Sequence, residues 1–115
     1  MRAAGLPVDV RVDGQPVDLP PGVDLSAYRI IQEALTNALK HAGPAHASVV
    51  VRYRADDVEL EISDDGAGPA QDAAGDGHGL MGMRERAGVY GGSVAGGRRA
   101  EGGYEVRARL PLEAR

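Results

Sequence analysis

The chain has 115 residues, a formal net charge of −4 and no cysteine, which suits one domain (residues 1–115) in a reducing cytoplasmic compartment and excludes a disulfide framework or thiolate metal site. No apolar run approaches the length of a membrane span, and the 13 basic residues are scattered, so we expect neither membrane contact nor a nucleic-acid partner. Tyrosine is the sole aromatic residue, so the core must be aliphatic.

The first predicted element is a strand. Residues 8–12, V-D-V-R-V, alternate apolar and polar side chains, as a half-buried strand does. The turn signal Asp13-Gly14 then predicts that residues 17–19 return as a short partner strand. Residues 20–22, P-P-G, predict a break before the next element.

A long amphipathic helix is predicted at residues 29–42, R-I-I-Q-E-A-L-T-N-A-L-K-H-A. Its isoleucine, leucine and alanine residues gather on one apolar arc. Asp24 or Ser26 is the expected N-cap, and Gly43 followed by Pro44 is the expected stop.

The opposite arc of this helix carries a carboxylate, an amide, an ammonium and an imidazole: Glu33, Asn37, Lys40 and His41. Positions three and four apart share a helix face. The carboxylate is suited to act as a base, the amide oxygen to ligate magnesium, and the ammonium to meet phosphate. The plain alternative is a solvated face.

A valine-rich antiparallel hairpin with one wet face is predicted next, from residues 48–53 and 58–63 around a turn at 55–57. After it the composition shifts, because 13 of the 17 glycines fall between residues 66 and 103. Small polar residues at 69–76 predict a mobile surface loop. The remaining predicted elements are a helix at 80–90, a short strand at 93–95, a polar loop at 96–103 and a strand at 104–110.

Two glycine motifs flank the predicted loop. Asp64 ends a strand and is followed by Gly66 and Gly68, where a backbone without Cβ atoms can approach a ligand. A buried carboxylate beside them can accept from an amine such as that of adenine. Gly77 and Gly79 precede a helix, and a helix N-terminus that follows a glycine loop offers free N–H groups to an anion. Each motif alone has a plain alternative, a turn or a helix entry.

In combination and in this order, the motifs resemble the nucleotide-binding domain of bacterial sensor histidine kinases. The wider group includes gyrase, MutL and the ATP-driven chaperones. The runs Q-E-A-L-T-N-A-L-K-H-A and G-L-M-G-M-R-E-R-A are similar to the subgroup that partners LuxR-type response regulators. The resemblance covers residues 5–112.

The resemblance implies an α/β fold, a two-layer sandwich of a mixed β-sheet packed against helices, with a glycine-rich ATP lid. It implies ATP and Mg²⁺ as cofactors, with Asn37 as the metal ligand, Asp64 as the adenine reader and Glu33 as the catalytic residue that polarises the attacking group. The lid, residues 77–82, would wrap the triphosphate. The ATP-binding residues implied are Asn37, Lys40, His41, Asp64, Gly66, Gly68, Gly77, Gly79, Leu80, Gly82 and Met83.

One feature departs from the family pattern. Kinases of this kind carry a phosphoacceptor histidine in an H-D context, and none of His41, His46 and His78 is followed by an acidic residue. We therefore expect a kinase catalytic domain that donates the γ-phosphate to a histidine on a dimerisation domain absent from this chain, with a response regulator downstream. We expect it to be inactive in autophosphorylation when isolated.

Two alternatives keep the same fold. One is a free-standing serine kinase that binds a sigma factor. The other is a non-catalytic nucleotide-sensing module.

Overall fold

The computed structural model describes residues 2–3, 6–41, 45–66 and 80–112. No helix within these ranges is long and apolar enough to cross a membrane. The elements are β1 (Arg2–Ala3), β2 (Leu6–Asp13), α1 (Pro21–His41), β3 (Ala47–Tyr53), β4 (Asp57–Asp64), α2 (Leu80–Gly88), β5 (Ser93–Arg98) and β6 (Tyr104–Pro111).

The strands form one mixed sheet in the order β1-β2-β3-β4-β6-β5. Strands β2 and β3 are parallel, with Val8 opposite Ala47, and every other neighbouring pair is antiparallel. A parallel pair needs a long crossover, and α1 supplies it. Both helices pack on one face of the sheet, α1 across β3, β4 and β6, and α2 on β5 and β6. The predicted α/β sandwich is confirmed, whereas the lid segment lies largely outside the described residues.

Helix α1 begins eight residues earlier than the predicted start at Arg29, at Pro21. Proline suits the first helical position because its missing N–H would be unpaired there anyway. The N–H of Asp24 donates to the carbonyl of Pro20 at 2.9 Å, which is the first helical hydrogen bond. Asp24 and Ser26 therefore lie inside the helix, and the prediction that either caps it is wrong.

Alternation along β4 divides the sheet into two faces. Val58, Leu60, Ile62 and Asp64 are buried beneath the helices, whereas the residues between them are partly exposed on the outer face. The largest fully buried side chains are aliphatic or methionine: Ile30, Leu60, Met83, Leu110 and Val58. The expectation of an aliphatic core is confirmed, with Tyr53, Tyr90 and Tyr104 only packed against its margin.

The outer face carries an ion-pair cluster centred on Arg52. Its guanidinium lies 3.1 Å from Glu59 Oε1, 3.6 Å from Glu61 Oε1 and 3.5 Å from Asp13 Oδ2. Burial lowers the pKa of Arg52, but the charges and hydrogen bonds of Glu61 and Glu59 outweigh that effect, so the pKa of Arg52 is raised above its ordinary value. The cluster ties β2, β3 and β4 together across the sheet.

Two strand predictions are corrected by the structure. Residues 17–19 form no strand, because the neighbours of β2 are β1 and, in parallel, β3. The predicted loop at 96–103 is shorter than expected, since β5 continues through Gly96 and Gly97 to Arg98 by pairing with β6. The predicted helix stop at Gly43 and Pro44, and the predicted loop at 69–76, lie outside the described residues.

Candidate nucleotide-binding site

The site forms at the end of the sheet where β4 stops at Asp64, here called the Asp64 end. Ala47, the first residue of β3, pairs with Asp64. Helix α1 stops at His41, six residues before Ala47, so its C-terminal end approaches the Asp64 end. The C-terminal end of α1 and the turn that follows β4 therefore both adjoin the start of β3.

Asp64 is held by its own turn. Its side chain points to the helical face of the sheet, and the residue is only 6% exposed. Its Oδ1 accepts a hydrogen bond from the N–H of Gly66 at 2.9 Å, which aims the carboxylate along a tight Asx-type turn. A carboxylate in this setting can accept a further hydrogen bond from a ligand donor. Gly66 itself is buried.

The polar arc of α1 contains residues with different exposures. Asn37 is 6% exposed and Glu33 is half-buried, whereas Lys40 is exposed to solvent. For His41 the structure describes the backbone at the last position of α1. The alternative interpretation of this arc was a solvated helix face, which would leave its side chains exposed. Asn37 is buried, so that alternative is wrong for this residue.

The start of α2 lies toward the same end of the sheet. Leu80 packs over Gly96, since a Cβ built on Gly96 would come within 2.8 Å of Leu80 Cδ2. Gly96 pairs with Val106, and Val106 pairs with Ile62, two residues before Asp64. The first residue of α2 therefore lies over the ladder position that includes Ile62, two residues before Asp64.

Three residues of the implied ATP site, Gly68, Gly77 and Gly79, lie outside the described residues. Gly82 is partly exposed in the first turns of α2. Met83 is fully buried in the core, so its side chain anchors α2 to the sheet.

Sequence reasoning missed three residues that support the Asp64 turn. The N–H of His46 donates to Asp65 Oδ1 at 2.7 Å, and the N–H of Asp65 donates to the carbonyl of His46 at 3.2 Å. Arg99 donates from Nη1 to the carbonyl of Asp64 at 2.9 Å. These contacts join residues 19 to 35 positions apart, so no pattern within a short stretch of sequence predicts them.

The donor set fits a magnesium ion bound chiefly through a nucleotide. Within the described ranges no group of three or more histidine, aspartate or glutamate side chains is placed to hold a metal. Magnesium in nucleotide sites keeps several waters and takes substrate phosphates with one or two protein oxygens. The amide of Asn37 is able to supply one such oxygen.

Comparisons with known proteins agree with this geometry. Residues 22–114 match the family described as histidine kinase-, DNA gyrase B-, and HSP90-like ATPase. The chain is 35% identical over 109 residues to the sensor histidine kinase LnrJ of Bacillus subtilis, covering 95% of this chain and 27% of LnrJ. It is 39% identical over 93 residues to the sensor histidine kinase YxjM of the same organism, covering 81% of this chain and 22% of YxjM. The chain thus spans about a quarter of the length of these relatives.

Solved structures share the fold. The histidine kinase domain of the blue-light activated histidine kinase from Erythrobacter litoralis EL346 superposes with a TM-score of 0.66 at 25% identity, over 91% of this chain and 52% of that one. The catalytic domain of histidine kinase ThkA superposes with a TM-score of 0.71 over 93% of this chain and 78% of that one, at 13% identity, which speaks for the fold alone. The relatives and solved structures named here are histidine kinases, and the chain belongs to the histidine kinase-, DNA gyrase B- and HSP90-like ATPase family.

Proposed function

We propose that residues 1–115 form one ATP-binding domain that binds Mg-ATP and donates its γ-phosphate to a histidine on a separate dimerisation domain. The observation that carries this proposal is Asp64, a buried carboxylate fixed at a strand end, in a chain of the histidine kinase family. The amide of Asn37 on α1 is buried as well, and Leu80 at the start of α2 packs over Gly96.

Each residue has a proposed role. Asp64 accepts a hydrogen bond from the exocyclic amine of adenine, which guanine lacks at that position. Asn37 would hold the magnesium ion, which would supply positive charge to offset that of the phosphates. Lys40 is exposed and able to turn toward the phosphate oxygens. His41, Gly66 and Gly68, with Gly77, Gly79, Leu80 and Gly82 of the lid, complete the proposed nucleotide site.

Glu33 is the proposed catalytic residue. It lies one turn before Asn37 on α1, half-buried, where a carboxylate polarises an incoming nucleophile without being fully solvated. Phosphoryl transfer depends mainly on positioning and charge stabilisation. The proposed partners are the domain that carries the acceptor histidine and a downstream response regulator of the LuxR type. The proposed location is the cytoplasm.

The decisive experiment is calorimetric titration of the 115-residue chain with ATP and ADP, with and without Mg²⁺. We expect binding of both nucleotides, tighter for ATP when magnesium is present. No binding at millimolar nucleotide would contradict the proposal. Transfer of acid-stable phosphate to serine, instead of acid-labile phosphate to histidine, would favour a serine kinase that binds a sigma factor. No transfer even with a dimerisation domain supplied would favour a nucleotide-sensing module.

A further inference from the structure

The turn that joins β5 to β6 is built around Arg99. Its N–H donates to the carbonyl of Gly103 at 2.9 Å, and its carbonyl accepts from the N–H of Gly102 at 3.1 Å. Both main-chain polar groups of Arg99 are therefore paired within the turn. The side chain starts from this hydrogen-bonded main chain and is only 25% exposed, so its position is restricted.

The guanidinium of Arg99 extends to the end of β4. Nη1 donates to the main-chain carbonyl of Asp64 at 2.9 Å. The pairing of β4 with β6 ends one residue earlier, at Ser63 opposite Glu105. Arg99 thus supplies a charged donor just where the ladder stops. A hydrogen bond with a charged donor is about twice as strong as one between neutral groups.

Gly103 presses against the same carbonyl. Its φ of +92° is a conformation that favours glycine, and a Cβ at this position would collide with the carbonyl oxygen of Asp64. The turn can approach Asp64 closely only because this side chain is missing. The carbonyl is consequently held by contact as well as by the hydrogen bond from Arg99.

Fixing this carbonyl fixes the carboxylate of the same residue. The direction of the Asp64 carbonyl is set by its ψ angle, and the same rotation moves the following residues. One of these is Gly66, whose N–H holds Oδ1 at 2.9 Å. If the Asp64 carbonyl swings, the Gly66 N–H moves and the carboxylate loses its aim. A misplacement of about 1 Å at a binding group is enough to cost much of its effect.

We propose that Arg99 is a positioning residue that aims the carboxylate of Asp64 and thereby sets the preference of the site for adenine over guanine. The inference rests on the proposed function, in which Asp64 reads adenine. Arg99 acts through Asp64 and contacts it on the main chain.

The test compares the dissociation constants of Mg-ATP and Mg-GTP for the 115-residue chain and its variants by calorimetry. R99M removes every donor but keeps most of the length, and we expect it to lower the ratio of ATP to GTP affinity about tenfold, the scale of one hydrogen bond to a charged group. GTP affinity should stay within about twofold of the wild-type value, because guanine has no amine to donate to Asp64 at that position and so loses no hydrogen bond. R99K, which keeps one donor, should restore part of the ratio.

Glu101 provides the matched control. It lies in the same turn, 3.5 Å from Arg99 Nη2, and its side chain is 72% exposed, so E101A should leave the ratio unchanged. If R99M fails to fold, R99Q repeats the test, since its amide is too short to reach the carbonyl. A ratio unchanged in R99M or R99Q, or equal losses for ATP and GTP, would overturn the role of Arg99. A wild-type chain that binds ATP and GTP equally would instead refute Asp64 as the adenine reader, and a chain that binds neither nucleotide would refute the proposed function.

Discussion

Replacing Asp64 tests the proposed adenine contact most directly, because two substitutions separate binding from folding. D64N keeps an oxygen able to accept from the N–H of Gly66, whereas D64A removes that 2.9 Å hydrogen bond. Asp64 is 6% exposed, so solvent weakens its hydrogen bonds little. The hydrogen bond from adenine to Asp64 is therefore expected to contribute the full range for a charged group, roughly 1.5–3 kcal/mol, to the free energy of ATP binding.

That range corresponds to about a ten- to hundredfold loss of ATP affinity in both variants. D64A should also lose stability, by about 1.5 kcal/mol for the broken hydrogen bond between Gly66 and the carboxylate, which lowers Tm by about 6 °C in a chain of 115 residues. D64N should unfold close to the wild-type temperature. Its new N–H₂ group repels the adenine amine but suits the guanine oxygen, so GTP affinity should hold or rise.

Calorimetry with ATP and GTP, together with thermal unfolding of each variant, measures these effects. The control is wild-type chain in the same buffer, which should prefer ATP. ATP affinity unchanged in D64N would refute the hydrogen bond to adenine. Equal losses for ATP and GTP in D64N would mean that Asp64 only shapes the pocket.

Three further variants examine the metal, the transfer step and the outer face. N37A should weaken Mg-ATP binding about tenfold yet barely change binding without magnesium, because the amide acts through the cation; titration with and without Mg²⁺ decides, and equal losses would contradict a metal ligand. The isolated chain should not label itself with γ-labelled ATP, whereas a dimerisation domain added in trans should gain acid-labile phosphohistidine, and E33A should slow that labelling more than it weakens binding; stable phosphate on this chain alone would contradict both expectations. R52M should lower the free energy of unfolding by about 1 kcal/mol, measured by urea denaturation, and less so at high salt; a loss independent of salt would mean that packing, not charge, explains the effect.

Local patterns predicted those elements whose signals lie within a few residues. The alternation in residues 58–63 gave β4 and its antiparallel partner β3, and the apolar arc at residues 29–42 gave most of α1. The glycine after Asp64 indicated the tight turn that Gly66 closes. In each case neighbouring residues determine the conformation, so spacing alone is informative.

The errors arise where distant contacts decide. The P-P-G sequence predicted a break, but Pro21 begins α1, whose first two turns bury Val23 and Ala27 in the core. Gly96 and Gly97 have low strand propensity, yet pairing with β6 keeps them in β5. The parallel pairing of β2 with β3 and the contact of Arg99 with Asp64 join segments tens of residues apart, which spacing within a motif does not encode.

The place of β6 in the sheet has a consequence for the kinetics of folding. Although β6 is the last strand in sequence, it lies inside the sheet between β4 and β5, and Val106, Ala108 and Leu110 are buried. A nascent chain that has not yet released residues 104–111 from the ribosome has no partner for the open edge of β4. The apolar face over which α1 packs then stays incomplete, and pairing of distant segments is slow. The sheet is therefore expected to close only once residues 104–111 have left the ribosome, and β4 keeps an unpaired edge until then.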